Sequence, residues 1–144
     1  MTLDIPQEIN WNCMEGAHSA RFYEFKEVTR TTLRGQEKLV RLVFQPEQLS
    51  TDDTIVLAGR NFIPTLRKGS DLRVFLDTWL GDDFVDQHRQ GAKFNFEILL
   101  NRRGDIVVKH IKNEGYPVPY VHLQAAFPPG TLTTQLYKNE REGI

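Results

Sequence analysis

The chain has 144 residues, 40% hydrophobic and 26% charged, which excludes a disordered or fibrous protein and fits one domain with its own core. Lys and Arg number 18 against 19 Asp and Glu, a formal net charge of -1, so no whole-chain basicity points to nucleic acid or membrane and any charged-ligand site must be local. A single cysteine, Cys13, excludes an internal disulfide framework and a multi-thiolate zinc site. A reducing, cytoplasmic setting is expected. No apolar run approaches the roughly 20 residues of a membrane helix, and residues 1–8 carry no basic leader, so no membrane partner is expected.

Residues 1–18 show neither helical nor strand periodicity and read as an arm that docks through Ile9 and Trp11. Residues 19–130 read as the folded domain, and 131–144 as a tail that follows Pro128-Pro129-Gly130. Within the domain, packets rich in β-branched and aromatic residues predict strands over about 19–29 and 37–45. In the second packet Val40, Leu42 and Phe44 share one face, and Leu39, Arg41 and Val43 the other. The intervening 31–36, with Gly35, reads as a hairpin loop. A third packet, 54–66, holds Gly59 and Pro64 and should bend or bulge.

A helix is predicted next. Ser70 can cap it, Leu72, Phe75, Leu76 and Trp79 fall at i, i+3, i+4 and i+7, and Gly81 stops it. Residues 82–93 read as a polar connection and 94–100 as a short turn or helix. Two last strands, 105–112 and 118–127, flank a hairpin connection that contains Gly115 and Pro117. The fold class expected is mainly β with one principal helix: a five-stranded OB-fold-like barrel with the helix between strands three and four.

Leu72-Arg73, Leu76, Trp79, Gly81 and Phe84 spell L-R-x-x-L-x-x-W-x-G-x-x-F. This pattern resembles a family of small bacteriophage proteins from replication and recombination modules, regarded as OB-fold single-stranded-DNA-binding proteins. The resemblance extends over about 20–130. Phe94-Asn95-Phe96-Glu97 with Leu99-Leu100 is similar to the family's F-D-L-x-x-L-[LIV] segment, and Val108-Lys109-His110 to its V-x-H strand. Asn101 stands where the family has Gly, and Asn also tolerates a left-handed backbone. The resemblance implies a non-enzymatic protein that binds single-stranded DNA with little sequence preference during phage-type replication or recombination. It implies no cofactor and leaves self-association open.

Such binding needs cations along the phosphates and flat faces for the bases. On the strands and loops that form an OB-fold's ligand face, the candidates for phosphate are Arg34, Lys38, Arg41, Arg60, Lys109 and Lys112, with Arg30 nearby. For base stacking they are Tyr116 and Phe62, with Tyr120 just beyond. Residues 19–112 hold 16 Lys and Arg against 13 Asp and Glu, so the central body is mildly basic and the ends acidic. His110 and His122 on neighbouring strands invite a metal, but no carboxylate or thiolate is fixed beside them, so none is assigned. Asp82, Asp83 and Asp86 suggest a magnesium site, but they read as solvated loop carboxylates, and no P-loop, G-x-S-x-G or H-E-x-x-H motif occurs. The competing expectation is an OB-fold interaction module that recruits a replication or recombination partner.

Overall fold

The long β-branched packets pair into one hairpin that organises the chain. In a computed structural model, which describes residues 7–112, 114, 115 and 117–132, β2 (Gly16–Thr32) runs antiparallel to β3 (Gly35–Pro46) along its length. Gly35 takes a φ of 117°, a value open to glycine, and lets the chain reverse in two residues. A bulge between Phe22 and Glu24 keeps Phe22 and Phe25 on the inner face. The strands β5 (Ala58–Phe62), β6 (Arg103–Ile111) and β7 (Tyr120–Phe127) complete a five-stranded antiparallel sheet of order β5-β3-β2-β6-β7.

The chain is mainly β, as expected, but the closed barrel is not formed. No ladder joins the edge strands β5 and β7 among the described residues. Instead, the Arg60 guanidinium donates through Nη1 to the carbonyls of Leu123 (3.4 Å) and Gln124 (3.1 Å). A side chain thus occupies acceptors along the seam where a closing strand pair would run.

The helix α1 (Asp71–Leu80) follows β5 in the chain and precedes β6, with the ends its sequence dictates. Ser70 Oγ accepts from the Arg73 amide, and the Gly81 N–H returns to Asp77 O at 2.9 Å. Its apolar stripe, Leu72, Phe75, Leu76 and Trp79, is buried with Phe22, Leu42, Phe44, Ile106 and Leu123. Trp79 donates its indole N–H to Arg103 O at 2.9 Å. It lies so close to β6 that a Cβ on Gly104 would come within 2.5 Å of Trp79 Nε1, so glycine is required there.

Arg73, the second residue of the helix motif, is 1% exposed. Its Nε meets Asp77 at 2.9 Å, Nη2 meets Asp86 at 3.1 Å, and Nη1 reaches Leu66 O at 3.2 Å. Asp86 belongs to α2 (Phe84–His88), a short helix within the segment expected to be a polar connection. Asp86 is therefore the counter-ion of a buried guanidinium. That contact, chiefly the Arg73 hydrogen bond, holds its carboxyl below the usual carboxylate range. Residues 96–99 form a single 3-10 turn, in agreement with the expected short turn or helix, and Asn101 adopts the left-handed conformation (φ 65°) its position demands.

The N-terminal arm is also more ordered than its sequence suggested. Its segment β1 (Glu8–Asn10) pairs in parallel with β4 (Thr54–Val56), and Leu57 N–H extends the ladder to Asn10 O at 3.0 Å. Docking is through this backbone pairing, through Cys13, which is fully buried, and, as expected, through Trp11, which packs over Gly59 although 42% exposed, while Ile9 stays 51% exposed. Burial pushes the Cys13 thiol up to about 11, so it stays protonated and packs as a small hydrophobe.

Candidate nucleic-acid interface

Alternation along β3 and β5 sets Arg41 and Asn61 on the face away from the core, and Arg60, paired with Leu42, on the inner face. Arg41 sits opposite Lys26 on one side and Asn61 on the other, on the face away from the core, and its Nε donates to Asn61 Oδ1 at 2.8 Å. Leu39 and Val43 flank it on the same face at 4% and 0% exposure. The Trp11 ring covers part of that face. A Cβ on Gly59 would lie 3.3 Å from Trp11 Cζ3 and 3.4 Å from Val43 Cγ2, so the indole rests directly on the Gly59 backbone.

Beside this stack the seam between β5 and β7 opens into a recess of about 320 Å³. It is lined by Trp11, Arg41, Arg60, Asn61 and Tyr120, with an apolar floor of Ala58, Val121 and Leu123, and none of its lining residues is acidic. Tyr120 is 56% exposed. The Arg60 guanidinium carbon lies 4.6 Å from the centre of the Phe62 ring, which adds to the carbonyl bonds that fix it in place. Two arginines held by their surroundings, one from each face of the sheet, and two exposed aromatic residues therefore line one recess at the seam. A larger recess, about 710 Å³, is a separate groove with Leu66, Leu72, Phe94 and Phe96 in its walls.

The structure brings together some of the expected site residues and separates others. Arg41 and Arg60 share the recess. Phe62, expected to stack bases, is instead 2% exposed and packs 5.1 Å from Phe75. The cause is register: Phe62 pairs with Val40, whose side chain faces the core. Lys38 falls on the opposite face of β3 from Arg41, because the two are three positions apart, an odd number, in a strand of period two. Arg34 stands at the tip of the β2–β3 hairpin, and Arg30 is paired with Glu37. Lys109 is exposed on β6 opposite His122, and Lys112 is exposed just past the strand end. Tyr116 lies outside the described residues.

The expected aromatic partners are thus replaced by Trp11 and Tyr120. Nothing local marks Trp11 as a surface group. Only the pairing of β1 with β4, more than forty residues away, carries it onto Gly59. Comparison with family models, with curated proteins and with solved structures finds no match for the chain.

Proposed function

We propose that the chain binds single-stranded DNA with little sequence preference, on an OB-like sheet left open at one seam, and without catalysis. The fold reading is supported by the strand order β5-β3-β2-β6-β7 with α1 between β5 and β6 in the chain. The observation that carries the function is the acid-free recess in which Arg41 and Arg60 meet the exposed rings of Trp11 and Tyr120. Cations for phosphate and flat faces for bases are what sequence-tolerant single-strand binding requires, and both are present in one concavity. Phage-type replication or recombination is the setting that the helix motif's resemblance implies.

The test is fluorescence anisotropy of a labelled mixed-sequence single strand and of its duplex at low and moderate salt. Preference for the single strand, weakening as salt rises, is the expected result. Arg41→Ala should weaken binding to every sequence alike and reduce the slope of log affinity against log salt by about 0.7, the value for one phosphate contact. No binding at low salt would remove this reading and leave the partner-recruiting module in its place.

A further inference from the structure

The two histidines of the last strand pair have different surroundings. The register sets His110 opposite Val121 and His122 opposite Lys109, so the two imidazoles project on opposite faces and do not form a pair. His110 is used by the fold: its Nε2 lies 2.7 Å from Cys13 O, and its backbone N–H donates to Glu15 at 3.0 Å. The His122 ring has no hydrogen-bond partner among the described residues.

Each strand near His122 contributes a polar or charged group. From β5 comes Arg60, whose guanidinium is tied to the carbonyls of the next two residues, Leu123 and Gln124. From β6 comes Lys109, its direct cross-strand neighbour. From β7 itself comes Tyr120, whose ring centre is 6.1 Å away at an interplanar angle of 32°. Partial burial, and after it the Arg60 charge, keep the ring's proton affinity below that of ordinary histidine, and no carboxylate offsets them. The group is a half-buried base near the fixed charge of Arg60, across the ladder from the exposed Lys109 and beside an aromatic ring of the proposed interface.

We propose that His122 is a phosphate contact at the β7 end of this interface, taking up a proton as a phosphodiester of the single strand settles among Arg60, Lys109 and its own ring. The inference rests on the single-strand reading above. A phosphate oxygen supplies the missing negative charge and accepts the imidazolium N–H, so the bound state favours the charged ring where the free state disfavours it. By linkage, affinity rises as pH falls through the interval in which the bound ring holds a proton that the free one has lost.

The experiment titrates a labelled mixed-sequence single strand at constant ionic strength from about pH 7.5 to about pH 5.5, the range in which histidine changes charge. The natural chain should tighten by roughly tenfold, equivalent to a one-unit displacement of the ring's titration. His122→Gln should show little tightening across the range, while His88→Gln, away from the last strand pair, should tighten as the natural chain does. Calorimetry in two buffers of different ionisation enthalpy should record proton uptake on binding, and the His122 ring resonance should titrate at higher pH with DNA bound. Binding without proton uptake, or pH dependence unchanged in His122→Gln, overturns this inference and leaves the single-strand reading intact. Absence of binding at every pH overturns both.

Discussion

Two tryptophans rest on glycines on opposite faces of the same sheet, and their surroundings differ in kind. On the inner face Trp79 covers Gly104, is 2% exposed, and satisfies its indole on Arg103 O; beside it on α1, Arg73 has every part of its guanidinium engaged. On the outer face Trp11 covers Gly59, is 42% exposed, and borders a recess where Arg41 has only its Nε bonded among the described residues. An aromatic ring or a guanidinium is neutral information until its satisfaction is known. Where the fold meets every hydrogen-bonding demand, the residue is architecture. Where it holds the residue still and leaves donors and ring faces open, the residue is available to a ligand.

The strongest way to break that comparison is at Arg73. Arg73→Ala removes the cation from a buried site and leaves Asp77 and Asp86 facing the gap, which should cost about 3 kcal/mol of folding stability, the low end for breaking a buried pair because both carboxylates are partly exposed. Urea unfolding followed by circular dichroism would measure it. At temperatures where the variant remains folded, its affinity for single strands should match that of the natural chain. Loss of binding without loss of stability would transfer Arg73 from the architecture to the site and overturn the contrast.

Both tryptophans could be placed in sequence only as far as local periodicity reaches. Trp79 was legible because it completes a stripe of period 3.6 between a serine cap and a glycine stop, all within twelve residues. The strands of the β2–β3 hairpin were legible for the same reason: Val40, Leu42 and Phe44 alternate, and Gly35 marks the turn. Trp11 was not, because its position follows from a three-residue parallel pairing with β4 that leaves no periodic trace. Phe62 was misplaced because Gly59 obscured the phase of its strand until the register with Val40 fixed it. The burial of Arg73 depends on Asp86, thirteen residues on and in a helix the polar sequence concealed. Of the candidate site, the two arginines were readable as residues, while the aromatic half was created by topology.

A smaller effect separates the tryptophans directly, since the chain contains only these two. Trp11→Ala should lower single-strand affinity by about 1–3 kcal/mol, the range for one stacked base, with little change in the unfolding midpoint. Trp11→Phe should keep most of that affinity. Binding of a single strand should quench the intrinsic fluorescence of the natural chain, and the quenching should disappear in Trp11→Phe, where the buried Trp79 is the remaining emitter. Quenching that persists in Trp11→Phe would mean that the ligand disturbs the inner face, and the division between the two faces would fail.

The mildest test uses acid. Arg73 holds the Asp86 carboxyl below its ordinary range, first through the hydrogen bond and then through charge, with Arg89 and Lys68 adding smaller contributions. Because the folded value is depressed, the stabilisation is complete above the unfolded value of about 4 and is lost as pH falls through the lower folded value. Asp86→Asn should therefore lower the thermal midpoint near neutral pH, and the difference from the natural chain should narrow once the pH drops below about 4. A gap between Asp86→Asn and the natural chain that stays constant down to the acid transition would mean that the pair contributes no titratable stability. The inner arginine would then be held by its bonds to Leu66 O, Asp77 and Asp82 O, and its full satisfaction would no longer depend on α2.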